Sequence, residues 1–236
     1  MDTTVLDNPA WHALKGRQAH FAIGDRPVLR YPAEVSPFAA LETPAAMTEL
    51  GRRMAEGEVA VLWSPENLEA PTAVDLLIRF PCLQMAGFDF RPADAEDAPA
   101  LGRGDVPEMI DLAVLTKPGP FYSRTIEMGD FVGIRQHGRL AAMAGERMKP
   151  PGFTEISAIC VHPDFQGRGH ARRLTSIVGR RALAIGTTPF LNVLPDNAAA
   201  ISLYESLGFR PRRLMQVHVL RKPGGVPVND PFFSSL

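Results

Sequence analysis

The stretch Gln166-Gly167-Arg168-Gly169-His170-Ala171 follows an apolar run that predicts a strand and leads into a segment with helical periodicity. A helix that begins directly after such a Gly-rich turn has backbone N–H groups without intrahelical partners, and its dipole places partial positive charge there. A phosphate or pyrophosphate group fits such a helix start. A Gly-x-Gly turn is also common as an ordinary tight turn, so the neighbouring sequence has to decide between the two interpretations.

The spacing of this turn is Q-x-x-G-x-A. It differs from the Walker loop because no Gly-Lys-Ser/Thr follows, and from the dinucleotide fingerprint because the G-x-G-x-x-G spacing is missing. The two common nucleotide-binding folds are therefore disfavoured.

A second motif, Asn197-Ala198-Ala199-Ala200-Ile201-Ser202-Leu203-Tyr204, continues through Glu205-Ser206-Leu207 to Gly208-Phe209. It predicts a short helix capped by Asp196 or Asn197 and closed by Gly208. The two motifs in this order resemble the acetyl-CoA-binding core of the GNAT superfamily of N-acyltransferases, in which Q/R-x-x-G-x-G/A precedes N-x-x-A-x-x-x-Y. The resemblance covers about the last three-fifths of the chain. It implies an α/β fold with a mixed sheet, and acetyl-CoA as co-substrate.

Composition excludes several other classes. The 236 residues are 45% hydrophobic and 22% charged, with a formal net charge of −1, which is typical of a soluble globular protein and gives no field that would attract nucleic acid. The sequence shows neither a secretory leader nor an apolar run as long as a membrane span, so we expect a cytoplasmic protein without membrane contact. Cys82 and Cys160 lie in apolar runs, which supports neither a disulfide framework nor a metal site.

The chain is predicted to have an N-terminal α/β region at 1–83, a GNAT acetyltransferase domain at 84–222 and a C-terminal tail at 223–236. The Ala-, Asp-, Pro- and Gly-rich segment Arg91–Gly104 is another candidate boundary. We interpret the first region as a smaller, degenerate GNAT-like half, which resembles the one preceding the catalytic domain in glycine N-acyltransferase-like proteins.

Hydrophobic periodicity predicts the main elements. In the first region it indicates strands at His20–Ile23, Val28–Tyr31, Val59–Trp63 and Leu76–Phe80 and a helix at Pro44–Gly57. In the second it indicates strands at Gln84–Phe90, Phe131–Arg135, Leu140–Met148, Thr154–Val161, Phe190–Leu194 and Leu214–Leu220. Helices are predicted after a capping box of Asp105 and Glu108 up to Thr116, and from Gly169 and Asn197 onward.

Two residues are candidates for acid–base catalysis. The resemblance implies that Tyr204 is the general acid that protonates the departing thiolate; the alternative is an aromatic residue packed in the core. Glu155 matches by spacing the strand glutamate that is the general base in some GNAT enzymes, although it could also be a solvated strand residue. The bacterial ribosomal-protein acetyltransferases carry a glutamate base at the position of Asn192, so that base is missing here.

The remaining candidate residues concern the cofactor. The resemblance implies that the backbone of one strand pairs with the pantetheine arm, that the Gly-rich loop holds the pyrophosphate, and that an asparagine touches the cofactor. These residues are Ile159, Cys160, Val161, Gln166, Gly167, Arg168, Gly169, His170, Ala171, Arg172 and Asn197. For the arginines a solvated helix face is an equal alternative, and for Asn197 a helix N-cap. His162 is interpreted as a turn residue.

The sequence therefore predicts an N-acyltransferase that moves an acetyl group from acetyl-CoA to a primary amine of a small molecule or amino acid by direct attack, without a covalent intermediate. A protein or peptide N-acetyltransferase and a non-catalytic acyl-CoA sensor are the two alternatives. The identity of the acceptor, the acyl chain and the oligomeric state leave no readable pattern, because loops build the acceptor site.

Overall fold

A computed structural model describes residues 2–225 and 230–233 of the chain. The tail predicted at 223–236 lies partly outside these residues. The strands are, in chain order, β1 (Val28–Arg30), β2 (Ala39–Leu41), β3 (Val59–Ser64), β4 (Asp75–Ala86), β5 (Ala100–Leu101), β6 (Phe131–Gln136), β7 (Arg139–Glu146), β8 (Phe153–Val161), β9 (Thr188–Val193) and β10 (Arg210–Arg221). The α-helices are α1 (Pro9–Leu14), α2 (Met47–Arg53), α3 (Val106–Thr116), α4 (His170–Ala184) and α5 (Ala198–Ser206).

The contacts divide the chain into two units. The first contains the described residues up to Cys82, the short segment Lys149–Pro151 and the described residues from Leu214 on. The second contains Leu83–Met148 and Gly152–Arg213. The sequence-based domain assignment stays a prediction.

In the first unit, β1 pairs antiparallel with β2, and β10 pairs antiparallel with β3. Its core is apolar and includes the fully buried Leu50 and Leu220. Two predictions were wrong here. The strand expected at His20–Ile23 does not form: a 3-10 turn spans Ala19–Phe21, and Ile23 makes only an isolated bridge with Arg30. The helix expected at Pro44–Gly57 is α-helical only in α2, because Met54 already has an extended backbone (ψ 139°).

The second unit contains a mixed sheet with the strand order β4-β9-β8-β7-β6-β5. Strand β8 pairs parallel with β9, whereas β4 with β9, β5 with β6, β6 with β7 and β7 with β8 pair antiparallel. Helix α4 packs on this sheet through Leu174, Ile177 and Val178, which are at most 1% exposed. Its apolar positions recur at helical spacing, so one stripe faces the strands. The predicted fold class, a mixed α/β sheet of the GNAT type, is confirmed.

Two further predictions, which concern the start of α3 and the extent of β4, were wrong. The predicted capping box is wrong, because the Asp105 carboxylate makes no bond to the N–H groups of α3 and instead accepts from Gly102 N at 2.8 Å and from Arg135. The segments Leu76–Phe80 and Gln84–Phe90 were predicted as separate strands, but the single strand β4 contains the whole of the first and only residues 84–86 of the second. Within residues 2–225 and 230–233, none of the helices combines the length and the apolar character that a bilayer crossing needs.

Candidate active site

A cleft of about 590 Å³ lies where two parallel strands of the second unit separate. Strands β8 and β9 pair from Phe153 with Thr188 to Glu155 with Phe190. Farther along, residues 155–161 of β8 and 192–194 line the cleft. A strand edge without a neighbour leaves backbone N–H and C=O groups available, and an extended ligand chain can pair with them as an added strand.

Strand β8 carries a bulge at this place. Its register with β7 shifts between Met143 and Gly145, and Ala158 adopts a left-handed backbone conformation (φ 51°). This conformation is unfavourable for alanine, and such strain is concentrated at functional sites. The bulge is at Ala158 and Ile159 and directly precedes Cys160 and Val161. Ile159, Cys160 and Val161, the residues expected to pair with the cofactor, all line the cleft. No sequence pattern indicated the bulge.

The Gly-rich turn ends at the start of α4 and also lines the cleft. Gly167 (φ 74°) and Gly169 (φ 77°) have left-handed backbones, and a Cβ atom built on either would meet nothing within 4 Å. The glycines therefore supply conformation and leave open space beside the backbone. Helix α4 is 15 residues long and begins at His170, so its free N–H groups and its dipole favour an anion there.

The polar residues of the turn divide into two groups. Gln166, His170, Ala171 and Arg172 line the cleft together with both glycines. Arg168 does not; its guanidinium donates to Gln136 Oε1 at 2.8 Å and to the Asp164 carbonyl at 3.3 Å, which ties it to the loop before the helix.

Asn197 serves as the N-cap of α5 and also lines the cleft. Its side-chain oxygen accepts from Ala200 N at 3.1 Å. The two interpretations of this asparagine are thus compatible. Arg172 also lines the cleft, and its guanidinium donates a hydrogen bond to Ser206 Oγ at 2.6 Å.

Tyr204 lies on α5 and is 7% exposed, with its ring in edge contact with Phe209. Burial raises the pKa of Tyr204 to about 12, so the phenol is protonated at neutral pH. Among the described residues its hydroxyl has no hydrogen-bond partner, although the residue lines the cleft. A protonated donor without a partner suits the transfer of a proton to a leaving group.

Glu155 is fully buried and tightly held. Its Oε1 accepts from Arg147 Nη2 at 2.6 Å and from Asn192 Nδ2 at 2.8 Å, and its Oε2 accepts from Arg147 Nε at 2.9 Å and from Met148 N at 3.2 Å. A carboxylate has about four lone-pair positions, and four donors are present. The arrangement is a bidentate ion pair that fixes the side chain, and this is poorly suited to a proton acceptor.

Asn192 lies on β9 and completes this cluster. The orientation of its amide is determined by the carboxylate, since a flipped amide would bring two oxygen acceptors within 2.8 Å of each other. Its Oδ1 is buried and has no hydrogen-bond partner in the described part of the chain. We refer to Arg147, Glu155 and Asn192 as the ion-pair cluster; all three line the cleft.

Other candidate groups are structural. Burial raises the pKa of Cys160 to about 12, so this thiol stays protonated and is no nucleophile at neutral pH. His162 accepts from Asp164 N at 3.2 Å and caps a 3-10 turn, as a turn residue does. Within the described ranges, no group of three or more His, Cys, Asp or Glu side chains is arranged to hold a metal ion.

A mixed sheet opened between two parallel strands, with a Gly-rich helix start and a tyrosine at the opening, defines an acyltransferase of the GNAT class. Comparison with known proteins agrees. Residues 131–218 match the family of FR47-like proteins. The solved structure of a Novosphingobium aromaticivorans protein assigned to the GNAT family of acetyltransferases has a TM-score of 0.85 and 40% sequence identity, and the match covers 93% of this chain and 99% of that one. The chain belongs to the GNAT family of acetyltransferases.

Curated relatives match over shorter stretches. The N-alpha-acetyltransferase RimI of Mycobacterium tuberculosis is 42% identical over 85 residues, which cover 34% of this chain and 51% of that protein. The mycothiol acetyltransferase of Mycobacterium ulcerans is 36% identical over 81 residues, or 31% of this chain and 25% of that protein. The chain thus spans about half or less of the length of these relatives.

Proposed function

We propose that this protein transfers an acetyl group from acetyl-CoA to a primary amine of a small molecule or amino acid by direct attack. The observation that carries the proposal is that one cleft is lined by the open edge of β8, the Gly-rich start of α4 and the unpaired phenol of Tyr204. These groups match the parts of the co-substrate: an extended arm, a pyrophosphate and a thioester sulfur.

The residues present fit acetyl-CoA. A Cβ atom at Gly167 or Gly169 would extend into open space, which leaves room for phosphate oxygens against the backbone. The residues that would hold the co-substrate are Ile159, Cys160 and Val161 through the strand backbone, the turn from Gln166 to Arg172, and Asn197. Acetyl-CoA supplies the activated acyl group.

The chain supplies positioning and proton transfer. Backbone N–H groups near the Ala158 bulge are candidates for stabilising charge on the thioester oxygen, which does not depend on side-chain type. Tyr204 is a protonated donor that gives its proton to the sulfur as the C–S bond breaks. The Cys160 side chain does not act as a nucleophile, because its thiol is protonated.

A second candidate is N-acetylation of a protein or peptide, favoured by the similarity to RimI over 85 residues. A cytoplasmic location and membership of the glycine N-acyltransferase-like branch stay predictions.

The first test is calorimetric titration of acetyl-CoA into the wild type and into Gly169→Glu, which brings a carboxylate to the helix start. Gly152→Glu is the matched control, since Gly152 has the same φ of 77° and open surroundings but lies outside the cleft. Saturable binding by the wild type and by the control, but not by Gly169→Glu, supports the cofactor site. No binding by the wild type contradicts the proposal.

The second test is turnover of amines. Release of CoA is measured with a panel of free amino acids, small amines and short peptides, and with Tyr204→Phe as the comparison. Loss of a general acid lowers kcat by about 10²–10⁴-fold, while the packing of the ring and the affinity for acetyl-CoA persist. Acetylation of peptides alone would favour the second candidate, and tight binding without turnover would indicate an acyl-CoA sensor.

A further inference from the structure

The cleft has few groups able to take a proton from an amine. Of the residues that line it, Glu155 is the one carboxylate and His170 the one imidazole, while the phenol of Tyr204 and the thiol of Cys160 hold their own protons. An incoming ammonium group would have to lose its proton to Glu155 or to His170. The surroundings of these two residues therefore determine whether the acceptor can enter as an ammonium ion or only as an uncharged amine.

Glu155 is occupied on both oxygens. Accepting a proton would require it to break one of four hydrogen bonds, two of which come from the guanidinium of Arg147. A buried arginine would then lose its counter-charge, which is strongly unfavourable. Glu146 on the adjacent strand β7 is buried as well, but it does not line the cleft, and its Oε2 lies 3.5 Å from Asp130 N.

His170 lies at the Gly-rich helix start. Its Nε2 is 3.1 Å from Gln136 Nε2, and burial, together with the charges of Arg168 and Arg173, lowers its pKa. Proton uptake is disfavoured at this position, and the backbone N–H groups around it suit the phosphate end of the ligand rather than the amine.

The charges that line the cleft are mostly positive. Lys117, Arg147 and Arg172 are cations, whereas Glu155 contributes the one negative charge and shares it with Arg147. Asn192, at the position where the resembling ribosomal-protein acetyltransferases have a glutamate, is neutral. The lining therefore offers no free negative charge to stabilise an ammonium ion.

From these observations, and resting on the proposed function, we propose that the acceptor enters the cleft as an uncharged amine, so that the enzyme selects weakly basic amines such as α-amino groups over lysine side chains. The nitrogen lone pair forms the N–C bond to the acyl carbon, and the C–S electron pair leaves on sulfur. Tyr204 gives its proton to the sulfur and regains one from the nitrogen. The protons balance without a separate base.

The expected selectivity follows from the free-base fractions. At pH 7 an α-amine with a pKa of about 8 is roughly 10% uncharged, and a lysine side chain with a pKa of about 10.4 only about 0.04%. The ratio is on the order of 200-fold at pH 7. The stronger nucleophilicity of the more basic amine offsets part of it, so we expect a preference of at least about tenfold.

The test is the pH dependence of kcat/KM for two probes, glycinamide, which carries an α-amine, and Nα-acetyl-lysinamide, which carries only the side-chain amine. We expect kcat/KM to rise with pH to a midpoint at the pKa of each probe itself. A midpoint common to both probes would belong to an enzyme group and would overturn the proposal.

Variants test whether Glu155 or His170 is an enzyme group that sets such a common midpoint. The double variant Arg147→Met with Glu155→Gln removes both charges of the pair, and His170→Gln removes the imidazole. On our proposal the midpoint for each probe stays at its own pKa in every variant, whatever happens to the rate. Thr154→Val is the control for a loosened β8, because Thr154 lies on β8 but outside the cleft and the change removes its buried hydrogen bond to Thr187.

Failure of this inference is distinguishable from failure of the proposed function. If the wild type binds no acetyl-CoA and releases no CoA with either probe, the acetyltransferase assignment itself is contradicted. If the wild type is active, both probes share one midpoint of kcat/KM, and this shared midpoint disappears in one of the variants, the residue changed there is the base. That result refutes the inference alone.

Discussion

The ion pair between Arg147 and Glu155 should be strongly coupled, and a double-mutant cycle can measure the coupling. Arg147 is 9% exposed at its side chain and Glu155 is fully buried. Arg147→Met leaves a buried carboxylate with neutral donors only, and Glu155→Gln leaves a buried guanidinium without its counter-charge. Each single change should lower the free energy of unfolding by about 3–5 kcal/mol.

The double variant should recover most of this loss. The amide that Glu155→Gln introduces accepts from Met148 N through its oxygen, and its NH₂ group donates to Oδ1 of Asn192 once the Asn192 amide has flipped, so both polar atoms of the new amide keep a partner. Replacement of a whole buried pair is often close to neutral, and we expect a cost of about 1–2 kcal/mol. Independent effects would sum to about 6–10 kcal/mol, so the coupling is roughly 4–9 kcal/mol.

Urea unfolding and thermal melting provide the measurement. In a chain of this size 1 kcal/mol shifts Tm by about 2–4 °C, so each single variant should melt about 6–20 °C lower. Both tryptophans, Trp11 and Trp63, lie in the first unit, so tryptophan fluorescence does not report on the second. Circular dichroism and amide hydrogen exchange of β8 are the appropriate probes.

An exposed ion pair provides the control. Arg124 and Glu127, 2.9 Å apart with side chains 44% and 25% exposed, should lose less than about 1 kcal/mol in Arg124→Met. Single variants of the buried pair that cost no more than this control, or a double variant as unstable as the sum of the singles, would refute the reasoning.

Three further predictions concern other parts of the chain. Gly208→Ala should lower the free energy of unfolding by about 2–5 kcal/mol and Gly152→Ala by only about 1–2 kcal/mol. Both backbones are left-handed, but a Cβ atom at Gly208 would lie 2.0 Å from the Asp89 carbonyl oxygen. Urea midpoints compare the two variants, and equal losses of stability would contradict the clash. Burial and a nearby arginine lower the pKa of His218 below its ordinary 6.5, so the unfolded chain takes up a proton first as pH falls below that value. The free energy of unfolding should therefore decrease from pH 7 to pH 5 by less in His218→Gln than in the wild type. An equal decrease in both proteins would exclude this histidine as the cause of the pH dependence. Cys160, with a pKa raised to about 12, should resist iodoacetamide in the folded protein at pH 7.5 by mass spectrometry, whereas rapid labelling without unfolding would show an accessible thiolate.

Local patterns predicted much of the second unit from the sequence. The helix predicted from Gly169 onward corresponds to α4, and the strand predicted at Thr154–Val161 corresponds to β8. These elements have strong periodicity and are bounded by glycines or prolines. The Asp105 capping box failed because the carboxylate found a stronger partner, Arg135, from a strand distant in sequence.

The sequence indicated the Gly-rich turn, the strand Ile159–Val161, Asn197 and Tyr204, all of which line the cleft except Arg168 of the turn, but it did not indicate the backbone bulge. The Ala158 bulge depends on the register between β7 and β8, and alanine carries no signal for a left-handed backbone. The ion pair left a weak signal. Arg147 and Glu155 have opposite charges and lie on either side of the Pro150-Pro151-Gly152 turn, and a tight turn between antiparallel segments brings such positions together.

The ion-pair cluster also relates the presence of asparagine at position 192, where the resembling acetyltransferases have a glutamate, to the charge state of Glu155. A glutamate at the position of Asn192 would lie against Glu155, and two buried carboxylates at this distance could not both be ionised. With asparagine, one carboxylate remains and Arg147 neutralises it. Loss of the matching glutamate and burial of Glu155 in an ion pair are therefore parts of one arrangement. In this arrangement the ion-pair cluster is rigid and uncharged overall, and on our proposal discrimination between amines follows from their basicity, independently of the loops that shape the acceptor site.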